Sequence, residues 1–142
     1  MSKIEILRDV LNLEAKSIEL AAKRLNEEMI LKMERIFEEL IQSGGDIVFC
    51  GVGKSGLIGA KLASTFTSLG LRSFLLHPTE ALHGDLGRVR ESDVLVFLSK
   101  SGTTEEILKL LPYLKSKKIL LKRHDFHLYR LPYLVFDDLK TL

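Results

Sequence analysis

From residue 2 to about Gln42 the apolar positions recur at helical spacing. Ile6, Val10, Leu13, Ile18 and Leu25 form one stripe, and Met29, Met33, Ile36, Phe37 and Leu40 form another. Ser2-x-x-Glu5 reads as a capping box, in which the serine accepts from the N3 amide and the glutamate reaches back. The Asn26-Glu-Glu stretch predicts a break into two helices, and Ser43-Gly44-Gly45 ends the second. Charged residues between the stripes read as a solvated face. Stripes this wide on long helices suit packing against a second copy of the chain.

After Gly45 the period changes. Short apolar runs predict strands at Asp46–Cys50, Arg72–Leu76 and Val94–Leu98, with a fourth at Lys118–Leu121 and a short fifth at Leu134–Phe136. Between them, helices are expected over Ser55–Leu69, where Ala60, Ala63 and Ser64 allow close packing, and over Thr103–Lys115, which Pro112 should kink or shorten. Val94–Leu98 is apolar at every position, as in a strand covered on both faces. Strand and helix in alternation imply an α/β fold: a doubly wound, mostly five-stranded parallel sheet in three α-β-α layers, flavodoxin-like or Rossmann-like. The N-terminal helices (1–43) and the α/β core (46–137) would together make a single domain.

In such sheets ligands sit beyond the carboxyl ends of the strands, near the point where strand order reverses. The three loops richest in polar residues all follow strands: Gly51–Gly56, His77–Gly87 and Ser99–Glu106. The first turns a strand into a helix through Gly51-Val-Gly-Lys-Ser-Gly56, offering bare amides and the positive end of a helix dipole to an anion. Lys54 and Ser55 add a cation and a hydroxyl. The spacing is too short for a Walker A loop. It does fit G-x-G-x-x-G, but the second strand ends in His77-Pro78 rather than in the acidic residue a dinucleotide ribose requires, so the nucleotide reading is the weaker one.

Ser99, Ser101, Thr103 and Thr104 surround Gly102 at another strand-to-helix turn. Helix capping needs one such hydroxyl; four suit a phosphate cradle. His77 and His83 share their loop with Glu80 and Asp85, at a spacing that matches no helical or finger-type zinc pair. A histidine there serves either acid–base chemistry or the ordering of its own loop. Glu105 and Glu106 open a helix, where carboxylates favour the dipole. Lys54, Glu106 and His83 would supply a cation, a base and a proton donor around an anion site, a set suited to proton abstraction beside the carbonyl of a small phosphorylated substrate.

Composition narrows the classes. With 142 residues, 46% hydrophobic and 28% charged, the chain has the balance of an ordinary globular domain, and a net charge of +2 gives no reason to expect a nucleic-acid partner. Cys50 is the only cysteine, so no intrachain disulfide forms, and its place in an apolar strand predicts a buried, inert thiol. Met1-Ser-Lys-Ile-Glu runs directly into charged helix and no apolar run reaches membrane-spanning length, so a cytoplasmic protein without membrane contact is expected.

Gly51-Val-Gly-Lys-Ser-Gly56, His77-Pro-Thr-Glu-Ala-Leu-His-Gly-Asp-Leu-Gly87 and Ser99-x-Ser-Gly-x-Thr-x-Glu106 resemble the sugar isomerase (SIS) domain, and more narrowly the arabinose 5-phosphate isomerase family. The His-Pro…His-Gly-Asp-Leu-Gly stretch is the specific part. The likeness runs in order from the N-terminal helices to about Asp137. It implies interconversion of ribulose 5-phosphate and arabinose 5-phosphate through an enediol, towards the Kdo of lipopolysaccharide, without an organic cofactor. It implies Lys54 and Glu106 as catalytic positions, with His83 touching substrate and assisting. It places Ser99, Ser101 and Thr104 on the phosphate, with Gly53, Ser55, His77 and Thr103 around the ligand. Zinc at the position of His77 is the one metal it suggests, and a homodimer or homotetramer the expected assembly. Family members continue into a further helical segment with another catalytic carboxylate and a His-Pro-Gly-Gly-like motif, many adding a pair of CBS domains. None of these follows Leu142, and Lys122–His127 and Lys100 depart from the family pattern. A second expectation therefore stands beside the first: a non-catalytic sugar-phosphate-binding module, truncated and inactive or weakly active.

Overall fold

The computed structural model describes residues 2–116, in the order α1 (Lys3–Arg24), α2 (Glu27–Ser43), β1 (Ile47–Gly51), α3 (Gly53–Ser68), β2 (Ser73–Leu76), α4 (Pro78–Leu82), a 3-10 turn (Asp85–Arg88), β3 (Val94–Leu98) and α5 (Glu105–Ser116). The fourth and fifth strands expected from sequence, and the Lys122–His127 loop, lie outside the described residues. The chain divides into two compact units, Met1–Ile36 and the part from Phe37 onward, so the division falls within α2.

In the first unit, α1 starts at the capping box read from sequence. Glu5 N donates to Ser2 Oγ at 3.3 Å, and Ser2 N donates back to the Glu5 carboxylate. The helices separate at Asn26, whose side chain accepts from Met29 N at 2.9 Å and so caps the start of α2. α1 buries none of its residues: Leu13 is 66% exposed and Ile18 72%.

In the second unit the sheet has the order β2-β1-β3, with every pairing parallel. The register aligns Val48 with Phe74 and Leu95, and Cys50 with Leu76 and Phe97. These six point to one face, because neighbours in a ladder share a side and successive residues alternate. There they join Ala81, Leu86 and Val89 with Ile107, Leu110, Leu111 and Leu114 of α5 in one core. The other face carries Phe49, Leu75 and Leu98 and is covered by α3. A side-chain carbon on Gly59 would lie 2.9 Å from Leu75 Cδ1 and 3.2 Å from Leu98 Cδ1, so the missing side chain lets the helix close onto the strands. Phe66 of α3 packs between Phe49 and Phe37, with ring centroids 5.7 and 5.9 Å away. Helices on both faces explain why β1 and β3 are apolar throughout.

Two features differ from the sequence reading. Pro112 does not shorten its helix, since α5 runs on to Ser116, one residue past the expected Lys115, and four buried residues of that helix anchor it to the core. The segment after β2, read from sequence only as a polar-rich loop, folds into α4 and the 3-10 turn. Pro78 begins α4 at a position that needs no amide hydrogen.

The amino ends of the strands are tied by charge. Buried Asp93 accepts from Asp46 N at 2.9 Å and Arg90 N at 2.8 Å. Asp46 in turn pairs with Arg72 at 2.8 Å and Arg90 at 2.9 Å. These contacts tie together the rim opposite the polar loops.

Cys50 is buried, and loss of solvation pushes its thiol up from 9.0 to about 12. The unfolded chain therefore gives up this proton at lower pH than the native one. Cys50's contribution to stability is complete below about pH 9 and is lost as pH rises towards 12. We expect the native thiol to resist iodoacetamide at pH 8 and to react fully once the chain is unfolded in guanidinium. Rapid labelling of the folded protein would refute the inert-thiol reading.

Candidate functional site

Because the three strands are parallel, their carboxyl ends lie along one edge of the sheet, and the loops that leave them begin there. β1 is central. The chain goes from β1 to β2 on one side and reaches β3 on the other, so strand order reverses between β1 and β3. That is the position where α/β sheets bind ligands.

The loop after β1 is shaped by close approach. A side-chain carbon on Gly51 would lie 3.1 Å from Leu98 O and 3.1 Å from Ser55 C, and one on Gly56 would lie 2.9 Å from Gly51 O. The strand end therefore packs directly on the first turn of α3. Gly53, the first residue of that helix, sits at φ +55, a conformation that favours glycine. Val52 occupies the cap position and provides no side-chain hydrogen bond. The opening amides of a 16-residue helix are thus left without a side-chain acceptor, at the positive end of its dipole. Lys54 is exposed beside them and forms no ion pair among the described residues, and Ser55 is half-buried.

The loop after β3 is built from hydroxyls. Ser99 is buried; its Oγ lies 2.7 Å from Thr104 Oγ1 and accepts from Gly102 N at 3.0 Å. Ser101 Oγ accepts from Thr103 N at 3.1 Å. Thr104 immediately precedes α5, its carbonyl accepting from Ile107 N and Leu108 N. Thr103 is exposed, its amide held by Ser101. Ser99, Ser101, Thr103 and Thr104 thus share one turn, in which the Ser99 and Ser101 hydroxyls accept from the turn's own amides and the Thr104 hydroxyl lies against that of Ser99. An anion's oxygens are chemically equivalent acceptors for those amides.

The structure separates the two glutamates that open α5. Glu105 pairs with Lys109 at 2.6 Å, one helical turn on, and that hydrogen bond and charge hold its carboxyl below the usual range while raising Lys109. Glu106 is half-buried and forms no ion pair among the described residues. The Glu105…Lys109 spacing was a signal in the sequence for this division, because glutamate four residues before lysine is a favoured helical pair.

His77 caps α4 and His83 ends it, both exposed. Asp85 pairs with Arg88 at 3.5 Å, and the Arg88 guanidinium lies 4.4 Å from the centre of the Phe74 ring. The 3-10 turn after His83 is thereby tied to β2. Among the described residues no three histidine, cysteine, aspartate or glutamate side chains gather to hold a metal, so His77 has no ligand set there for the zinc expected from the resemblance. No helix among them is long and apolar enough to cross a membrane.

Fold and site together define an α/β protein whose parallel strands deliver an uncapped helix N-terminus, a lysine and a hydroxyl-lined turn to one edge, an arrangement suited to an anion. Residues 39–121 match the SIS domain, and the chain belongs to that family. It is 42% identical over 114 residues to arabinose 5-phosphate isomerase KdsD of Yersinia pestis, covering 80% of this chain and 34% of that one. It is 39% identical over 116 residues to the probable arabinose 5-phosphate isomerase of Haemophilus influenzae, covering 82% and 33%. The chain thus spans about a third of the length of these curated relatives. Among solved structures, a protein of E. coli CFT073 in complex with arabinose 5-phosphate is similar with a TM-score of 0.67 and 38% identity, over 82% of this chain and 62% of that one.

Proposed function

We propose that the chain is the sugar-phosphate site of an aldose–ketose isomerase that interconverts ribulose 5-phosphate and arabinose 5-phosphate. The observation that carries this is the pairing, at the switch between β1 and β3, of the uncapped α3 N-terminus bearing Lys54 with the hydroxyl turn Ser99–Thr104. Similarity to arabinose 5-phosphate isomerases, and to a protein solved with arabinose 5-phosphate, supports the choice of substrate.

In this reading Ser99, Ser101, Thr103 and Thr104 hold the phosphate, with Gly53, Ser55 and His77 around the sugar. Glu106 removes a proton from C1 of the open ketose, and the C1–C2 bond becomes that of an enediolate. Lys54 stabilises the negative oxygen, and His83 passes a proton between the oxygens on C1 and C2. Return of a proton to C2 completes the aldose. Each step is a proton transfer within one substrate, so no organic cofactor or redox partner is needed. The protein would act in the cytoplasm as a homodimer or homotetramer, in the supply of Kdo for lipopolysaccharide.

The test is to incubate the protein with ribulose 5-phosphate in heavy water and follow the product by NMR. We expect arabinose 5-phosphate carrying solvent deuterium at C2, because the base exchanges its proton before returning it. Binding of the sugar phosphate, read as a rise in thermal midpoint, without any product would leave a binding module and sink the isomerase reading.

A further inference from the structure

We propose that Lys100 is a phosphate-binding residue, the source of fixed positive charge in a turn otherwise made of hydroxyls and amides. The inference rests on the sugar-phosphate reading of the site and goes beyond it in assigning this residue.

Lys100 sits between Ser99 and Ser101, the two serines whose hydroxyls accept from the turn amides of Gly102 and Thr103. It is exposed and forms no ion pair among the described residues. The other charges near this turn make such a cation useful. α5 begins with Glu105 and Glu106, which suit the helix dipole but repel a phosphate at the same mouth. Lys109 makes its 2.6 Å pair with Glu105, so its charge is only shared with Glu106, which has no ion pair of its own among the described residues. Lys54 belongs to the neighbouring strand's loop, where the mechanism gives it the enediolate. A sugar phosphate carries close to two negative charges at neutral pH, more than hydroxyl donors balance. Lys100 offsets that charge, and a flexible ammonium serves as a point charge without demanding fixed geometry.

The role is distinct from catalysis. Lys100 binds the ground state and the transition state equally through a group that does not react, so its loss weakens KM and spares kcat.

The experiment compares the whole chain with its Lys100→Gln variant by calorimetric titration of arabinose 5-phosphate and of inorganic phosphate. We expect the variant to bind both about tenfold more weakly at low ionic strength, as for one lost charge-assisted contact. The difference should narrow at high salt, and the thermal midpoint of the free protein should stay unchanged, since an exposed turn residue carries little stability. Equal affinities for the two proteins would overturn the proposal. So would a wild-type chain that binds neither ligand, which would also remove the site. Weaker binding by the variant, with a wild-type chain that turns nothing over, would uphold Lys100 and refute only the isomerase reading.

Discussion

Replacing Glu106 with glutamine should lower kcat for ribulose 5-phosphate by roughly 10²- to 10⁴-fold, the usual worth of a positioned general base, while Glu105→Gln should leave kcat within about twofold. The two residues are adjacent, chemically identical and both in the first turn of α5. What distinguishes them is their partners. Glu105 is exposed and committed to Lys109, whereas Glu106 is half-buried without an ion pair among the described residues. A carboxylate already hydrogen-bonded to an ammonium is the poorer proton acceptor, which is what its lowered pKa expresses. Glutamine keeps the volume and helix preference of glutamate, so neither change should disturb the fold. Circular dichroism and thermal melting would confirm that, and NMR turnover would give kcat. A variant at Glu106 that keeps full activity, or one at Glu105 that loses it, would reverse the assignment.

How far the sequence foretold this depended on how each feature is encoded. β3 was legible to the residue, because Val94–Leu98 is apolar at every position and both its faces are covered. The loops were legible as candidates because a parallel sheet sends them all to one edge, whatever their side chains do. α4 was not, since five residues are too few to show a helical period, and only Pro78 marked its start. The shortening expected at Pro112 is absent for a different reason. Proline's cost is local, and Ile107, Leu110, Leu111 and Leu114 outweigh it by packing in the core, which single-residue propensity does not see. The α1 stripe shows a further limit: a periodic apolar face says that cover is wanted and not what supplies it, and α1 buries none of its residues. In the site, the hydroxyls were recognisable by number, but the division between Glu105 and Glu106 depends on a side chain four residues away.

Gly45→Ala should be among the most destabilising single changes in the chain, and its neighbour provides the control. A side-chain carbon on Gly45 would lie 2.0 Å from Ser92 O and 2.7 Å from Ser92 C. Both are backbone atoms in the turn just before β3, so no rotamer change relieves the contact. Gly45 N is itself held by Leu40 O at 3.0 Å, and Asp46 N beside it is bonded to Asp93, so this segment cannot easily withdraw. Overpacking of this kind costs typically 1–3 kcal/mol, and a clash with main chain should reach at least ~3 kcal/mol. At a shift of roughly 4 °C per kcal/mol for a domain of this size, the thermal midpoint should fall by more than ~10 °C. Gly44 is the opposite case. Its φ is +63, which disfavours alanine, but nothing lies within 4 Å of an added carbon. Gly44→Ala should therefore cost only ~1–2 kcal/mol, from backbone strain alone. Melting curves of the two variants decide the matter. If they are equally destabilised, strain rather than the approach of Ser92 governs this turn; if Gly45→Ala is tolerated, the close join between the end of α2 and the entrance to β3 is not what positions the two strands that frame the site.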